Sequence, residues 1–187
     1  MRSVPSKFET REENDELYIE GYFSVFGSIY DLWPGATESV APGAFANTLG
    51  NDVRALIDHE TRLVLGRSKA GTLELREDSH GLWGKIRINP NDTDAMNLYN
   101  RVKRGDVDQC SFGFNIVKED TEIREDGSVH WTIREVELFE VSVVTFPAYE
   151  ETAVSARKKE YQEMERRKTE AWKAKMNERL KGARHGT

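Results

Sequence analysis

Apolar and polar residues alternate with a period of two along several segments of the chain, which is typical of half-buried β-strands. The clearest case is Leu17–Phe26, where every second residue is apolar or glycine. The same pattern predicts strands at Val53–Ile57, Leu63–Gly66, Thr72–Arg76, Leu82–Ile88, Ser111–Lys118, Val129–Val136 and Leu138–Phe146. We expect the segments between 63 and 88 to form a meander. The segment 125–128 should form a hairpin turn, because its Asp-Gly pair tolerates positive φ.

Two segments instead show helical periodicity. The first spans roughly 92–104, between a start signal at 90–93 and a stop at Gly105. The second is a long charged helix from about Thr152 to Leu180, whose apolar residues form only a narrow seam. Residues 27–44 are expected to be a long ordered loop, followed by one short helical turn at Phe45–Leu49. The fold class predicted is mostly β (α+β): a barrel-like antiparallel sheet with flanking helices and a C-terminal charged helix.

Composition divides the chain into three parts. Of 187 residues, 32% are charged and 37% are hydrophobic, so part of the chain should lie outside the core. We expect a loose, polar N-terminal arm at 1–16, a globular domain at 17–151, and a basic helical tail at 152–187. Residues 151–187 hold 11 Lys/Arg and 6 Asp/Glu, a net charge of +5, so residues 1–150 hold 16 and 27, a net of −11.

These features exclude several function classes. An acidic globular domain argues against nucleic-acid binding by that domain. The basic tail could bind an acidic partner, including nucleic acid, but its charges favour a solvated helix surface. The longest apolar run, Val141–Phe146, is too short to cross a membrane, and the N-terminus has no apolar stretch typical of a secretory signal. The single cysteine, Cys110, excludes an internal disulfide and fits a reducing compartment.

Three residues supply the parts of a nucleophilic hydrolase. Ser111 lies at the start of an apolar, glycine-containing strand, and a serine hydroxyl needs a neighbouring base to attack at neutral pH. His59 follows the apolar segment Val53–Ile57, which makes it the best base, although it could equally be a surface histidine between two acids. Strict alternation places Glu140 on the apolar face with Val136 and Leu138, where a carboxylate needs a partner such as a histidine N–H.

Other residues offer weaker candidates. Cys110 could replace Ser111 as the nucleophile, but neighbouring residues of a strand point to opposite faces, so only one of them can face the histidine. His80 lies in a turn, His130 follows a hairpin, and His185 lies near the end of the tail. No metal site is predicted, because the histidines and acids show no ligand spacing. No cofactor is predicted either, since there is no phosphate loop or dinucleotide fingerprint.

Several short motifs occur along the chain, none of them diagnostic alone. They lie at 21–26, 40–45, 58–60 followed by 65–66, 77–78 followed by 81–82, 105 followed by 110–114, and 140–144 followed by 147–149. Their order and spacing resemble those of the prohead (capsid maturation) proteases of tailed bacteriophages, over about residues 15–155. This family is distantly similar to the herpesvirus assembly proteases, whose fold is a β-barrel wrapped by helices.

The resemblance implies peptide hydrolysis, with Ser111 as the nucleophile, His59 as the general base and Glu140 as the orienting acid. It also implies that the major capsid protein and scaffold are substrates, inside the prohead in the host cell cytoplasm, and that the protein cleaves itself. The tail at 152–187 would then bind coat or scaffold protein or be a self-cleaved segment, and the protein could act as a homodimer. Neither nucleic-acid binding by the catalytic domain nor membrane binding is expected.

Two rival interpretations remain open on the residues alone. The chain could be a non-catalytic scaffolding module of capsid assembly, in which case only deletion of the tail should matter. It could also be a cysteine hydrolase, in which case loss of Cys110 and not of Ser111 should abolish activity.

Overall fold

The computed structural model describes residues 8–146 and 151–184. The strands are β1 Glu9–Glu13, β2 Glu16–Val25, β3 Tyr30–Trp33, β4 Ala36–Val40, β5 Arg54–Ile57, β6 Glu60–Arg67, β7 Leu73–Glu77, β8 Gly81–Ile88, β9 Gln109–Ile123 and β10 Val129–Val144. The helices are α1 Thr93–Arg104 and α2 Glu151–Arg184, and a single 3₁₀ turn spans Ser68–Ala70. The mostly-β, α+β class predicted from the sequence is therefore confirmed.

The described strands form two sheets. One is antiparallel, with the order β1-β2-β8-β7. The other has the order β3-β4-β10-β5-β6, and β9 pairs with β10 along nearly its whole length. The expectation was a barrel-like antiparallel sheet. Because β10 runs parallel to both β4 and β5, the second sheet is mixed, and the described strands form two sheets and no closed barrel. The expected meander is also split, since β5–β6 and β7–β8 belong to different sheets.

The sequence patterns did not predict two of the strand regions. The N-terminal arm was expected to be loose, yet residues 9–13 pair with β2 through a turn at Asn14 and Asp15, whose φ angles are 51° and 64°. β1 is charged and mostly exposed, so it carries no alternation signal. The expected loop at 27–44 contains the β3–β4 hairpin, turned by Pro34-Gly35 with Gly35 at φ 84°. Proline followed by a positive-φ glycine is typical of a type II turn.

In the long β9–β10 hairpin, β10 is an interior strand of the second sheet, and among the described strands β9 pairs with β10 alone. The hairpin turn is the predicted one, with Gly127 at φ 81°. The two predicted segments Val129–Val136 and Leu138–Phe146 are one strand of 16 residues. Its register shifts between Ile133 and Glu135, between Glu135 and Val136, and between Leu138 and Glu140. These irregularities explain why a period-two pattern divides the strand near Glu137.

The core lies between the sheets and is closed by α1 and by the turns at 42–50. α1 begins at its cap Asp92, which accepts hydrogen bonds from Asp94 N and Ala95 N, and ends at Gly105 with φ 83°, as predicted. Successive i to i−3 hydrogen bonds form the turns at 42–50, where a short helical turn was expected. Both oxygens of Glu77 accept from backbone N–H groups there, from Gly43 at 2.6 Å and Phe45 at 2.9 Å.

The chain divides into two compact units, Met1–Tyr149 and Glu150–Thr187. In the second unit, α2 is close in extent to the predicted helix and is lined with exposed charges. Its apolar side chains include Trp172, 62% exposed, and Met176, 37% exposed. Among the described residues, no helix combines the length and apolar character needed to cross a membrane.

Phe45 links the 42–50 turns to β9, which gives a test of the packing behind that strand. Its side chain is fully buried, stacks on Phe26 at 6.2 Å and meets Phe112 edge-on at 5.6 Å between ring centroids. We expect Phe45→Ala to lower the free energy of unfolding by about 3–5 kcal/mol, because it leaves a cavity in the core. Phe146→Ala is the control, because Phe146 is 76% exposed. Equal effects of the two changes in chemical denaturation would contradict this packing.

Candidate active site

The register of β9 against β10 brings the candidate nucleophile and acid onto one face of the sheet. Ser111 lies opposite Ser142, and Gly113 lies opposite Glu140. Directly opposed residues of an antiparallel pair project to the same face. The alternate residues Cys110 and Phe112 lie opposite Val143 and Val141 and belong to the hydrophobic core. Ser111 and Glu140 therefore share the face that points away from this core, and they are 7% and 8% exposed.

Glu140 is held by two side chains. Its Oε1 lies 2.7 Å from His59 Nδ1, and its Oε2 accepts a 2.7 Å hydrogen bond from the Ser142 hydroxyl. A carboxylate accepts the proton on Nδ1, so the lone pair of the neutral imidazole then lies on Nε2. The structure thus pairs the two residues that the sequence analysis proposed as base and orienting acid.

His59 takes its position from a tight turn between β5 and β6. Asp58 and His59 have φ angles of 47° and 60°, which is typical of a two-residue type I′ hairpin turn. Asp58 fixes this turn to the end of β10, because its N–H donates to Val143 O at 3.0 Å and its Oδ1 accepts from Thr145 N at 2.7 Å. The turn therefore delivers the imidazole to Glu140, 81 residues further along the chain.

Gly113 provides the space that the Glu140 carboxylate occupies. A Cβ at this position would lie 2.5 Å from Glu140 Oε1 and 2.6 Å from Phe139 Cε2. Both distances are shorter than van der Waals contact, so any other residue would displace the carboxylate or the ring. The glycine is needed here for the close approach of a side chain and not for an unusual backbone angle.

A β-bulge at Phe139 sets the direction of Glu140. Val136 and Leu138 belong to the core, and after the register shift between Leu138 and Glu140 so do Val141 and Val143. The inference that Glu140 shares a face with Val136 and Leu138 was therefore wrong, because strict alternation ignores the extra residue. Bulges of this kind re-aim side chains. Glu140 is nevertheless buried and paired, as its setting in an apolar strand required.

Arginines lie close to Glu140 but are bound to another carboxylate. Arg54 is the register partner of Glu140 on β5. Its guanidinium hydrogen-bonds the Asp52 carbonyl at 3.1 Å, and Arg67 donates to both oxygens of Asp52, at 2.7 and 2.5 Å. The hydrogen bonds from Arg67, helped by the charge of Arg54, lower the pKa of Asp52 to about 2. Asp52 thus neutralises the positive charges of Arg54 and Arg67. His59 is the basic side chain that pairs with Glu140.

The other candidates lie elsewhere. Cys110 is buried, with its Sγ 3.2 Å from Tyr22 O, on the face opposite to Ser111 as expected. His130 contacts the hydroxyls of Thr37 at 2.8 Å and Ser39 at 2.9 Å. His80 is exposed and packs edge-on against Tyr22, while His185 lies outside the described residues. Within the described ranges, no cluster of three or more His, Cys, Asp or Glu side chains could hold a metal ion.

Sequence reasoning missed Ser142, Gly113 and Asp58. Ser142 follows Glu140 by two residues, so period-two spacing on a strand was a usable signal for a shared face. The role of Gly113 depends on pairing with Glu140, which lies 27 positions further along the chain. The function of Asp58 depends on Thr145, and no local pattern in the sequence links these two residues.

Comparison with known proteins identifies the family of the chain. A family model described as caudovirus prohead serine protease matches residues 6–167. The chain belongs to the caudovirus prohead serine protease family. It is 31% identical over 143 residues to the prohead protease of Enterobacteria phage HK97, an alignment that covers 74% of this chain and 61% of that protein. The chain thus matches less than two thirds of the length of this prohead protease, and no solved structure matches it.

The space around Gly113 gives a test of how the carboxylate is placed. We expect Gly113→Ala to lower the free energy of unfolding by about 1–3 kcal/mol, because the new methyl group overpacks the site. It should also lengthen or break the His59–Glu140 hydrogen bond, which NMR of labelled histidine would detect. Gly50→Ala is the matched control, since a Cβ there meets open space and the backbone needs no positive φ. An unchanged His59 signal in Gly113→Ala would contradict the crowding described here.

Proposed function

We propose that this protein is a serine endopeptidase that cleaves coat and scaffold protein inside the immature capsid of a tailed phage, and that it also cleaves itself. Membership of the prohead serine protease family supports the reaction class and the setting. The observation that carries the assignment of roles is the 2.7 Å contact between His59 and Glu140, on the face of the sheet that also holds Ser111.

The proposed chemistry is acyl transfer in two steps. Ser111 Oγ attacks the carbonyl carbon of the scissile peptide while His59 Nε2 accepts the hydroxyl proton. His59 then gives that proton to the leaving amine, and the acyl group stays on Ser111. A water molecule attacks this ester and loses its proton to His59. The bond between the acyl carbon and Ser111 Oγ then breaks, His59 returns the proton to Ser111 Oγ, and the product carboxylic acid leaves. Glu140 stabilises the imidazolium that forms in each step and holds Nδ1 protonated.

The position of Cys110 argues against the cysteine alternative. Its side chain is 1% exposed and packs in the core, whereas Ser111 shares a face with the His59–Glu140 pair. A catalytic thiol needs access to substrate and a base that keeps it ionised. We therefore assign the nucleophile to Ser111, and we treat Cys110 as a small hydrophobic core residue.

We further propose that the basic helical segment from about residue 152 binds coat or scaffold protein. The charge of +5 over residues 151–187 supports an acidic partner. Of the apolar side chains described on α2, Tyr161 and Met164 are half-buried, and Trp172 and Met176 are exposed. A narrow apolar stripe on a charged helix is typical of packing against another helix. The proposed partner is therefore an acidic, helical region of the scaffold.

Ser111→Ala tests the proposed nucleophile. We expect wild-type protein to cut itself and added coat protein, as followed by intact mass over time, and Ser111→Ala to lose activity on the order of 10⁵–10⁶-fold in kcat. Circular dichroism should show both proteins folded. Cys110→Ala is the neighbouring control and should retain activity. Loss of cleavage in Cys110→Ala with full activity in Ser111→Ala would assign the reaction to the thiol.

Shortening the chain tests the proposed role of the tail. A protein that ends at Ala153 should enter assembling proheads far less efficiently than the full chain, because it lacks the basic helix. Quantitative electrophoresis of purified proheads measures the incorporated amount. A full-length protein carrying Ser111→Ala is the control for effects of self-cleavage. Equal incorporation of the shortened and full-length proteins would contradict this role.

A further inference from the structure

Ser142 is a buried hydroxyl beside the candidate catalytic residues. Its side chain is fully buried, and it lies directly opposite Ser111 in the β9–β10 register. Its Oγ donates a 2.7 Å hydrogen bond to Glu140 Oε2, the carboxylate oxygen that does not face His59. The two oxygens of Glu140 are therefore engaged by two different side chains.

We propose that Ser142 is a positioning residue, which fixes the Glu140 carboxylate so that Oε1 stays directed at His59 Nδ1. This inference rests on the proposed function, and it adds a fourth side chain to the three assigned there. Ser142 is not a second nucleophile, because its proton is committed to Glu140 and it is completely buried.

Few other contacts fix the orientation of the Glu140 carboxylate. Gly113 permits the carboxylate to approach but supplies no side-chain donor. Arg54, the register partner on β5, is bonded to Asp52. The terminal torsion of a glutamate side chain has a broad distribution, so the carboxylate could otherwise rotate at little energetic cost. The charged hydrogen bond from Ser142 to Glu140 Oε2 thus holds the carboxylate in one orientation.

The same hydrogen bond stabilises the negative charge that faces His59. The Ser142 hydroxyl takes up part of the negative charge on Glu140. Without this donor, the carboxylate should attract the protonated imidazole more strongly. Loss of Ser142 should therefore move proton uptake by His59 to higher pH.

Ser142→Ala tests the inference through the pH dependence of kcat/KM. We expect the acidic limb of the profile to move to higher pH by roughly half a unit or more, and kcat/KM near neutral pH to fall on the order of tenfold. Ser142→Thr keeps the hydroxyl and should restore the wild-type acidic limb. The assay uses coat-protein cleavage, with folding checked by circular dichroism.

The structure offers a matched control in Ser39. Ser39 is also buried, at 8% exposure, and its Oγ likewise forms a side-chain hydrogen bond in the same sheet, to His130 Nε2 at 2.9 Å. Ser39→Ala therefore removes a comparable buried hydroxyl away from the His59–Glu140 pair. It should leave the pH profile unchanged, whereas a general loss of stability would affect both variants.

A second measurement separates failure of this inference from failure of the proposed function. NMR titration of His59, in protein that also carries Ser111→Ala to prevent self-cleavage, needs no activity. Adding Ser142→Ala should raise the midpoint of the His59 titration, and adding Ser39→Ala should not. An unchanged midpoint and an unchanged acidic limb in Ser142→Ala would overturn the positioning role. If Ser111→Ala retains full activity, the proposed function fails, and a shifted midpoint would still show that Ser142 tunes the His59–Glu140 pair.

Discussion

The arrangement depends on one buried carboxylate in the longest strand of the protein. Glu140 is 8% exposed, and withdrawing an ionised carboxylate from water costs several kcal/mol. Two charged hydrogen bonds, worth about 1.5–3 kcal/mol each, offset this cost. One comes from Ser142, and the other is shared with His59. The carboxylate therefore stabilises the fold only while the histidine remains beside it, which couples stability to the geometry of the site.

Strand pairing explains how residues so far apart in sequence meet. β10 carries Glu140 and Ser142, pairs with β9 on one edge, and pairs with the parallel strands β4 and β5 on the other. β9 brings Ser111, and the turn after β5 brings His59. The bulge at Phe139 then turns Glu140 away from the core, toward the face that Ser111 shares. A change that removed this bulge would move Glu140 to the wrong face without substituting any of the three candidate residues.

The sequence predicted most elements with strong periodicity and clear end signals. The helix at 93–104 has Asp92 and Gly105 at its ends, and most β-strands were found from their alternation. Two hairpin regions were missed because β1 is highly charged and β3 and β4 are short and carry polar residues. β4 also pairs with the distant strand β10, and a local sequence pattern does not record that pairing.

Sequence patterns predicted only part of the candidate site. His59, Ser111 and Glu140 were named from residue type, strand position and family resemblance, and the structure brings His59 and Glu140 into contact. The face assigned to Glu140 was wrong, because a bulge adds one residue that periodicity cannot detect. Gly113 and Asp58 were missed because each acts through a residue that only tertiary structure brings close.

We propose that His59, oriented by Glu140, activates Ser111. Covalent labelling with a fluorophosphonate, followed by mass spectrometry to locate the modified residue, tests this activation. We expect one label, on Ser111, whose rate of formation falls at least a hundredfold in both His59→Ala and Glu140→Ala proteins that remain folded. A label on another residue, or labelling of Ser111 at an unchanged rate in those two proteins, would contradict it.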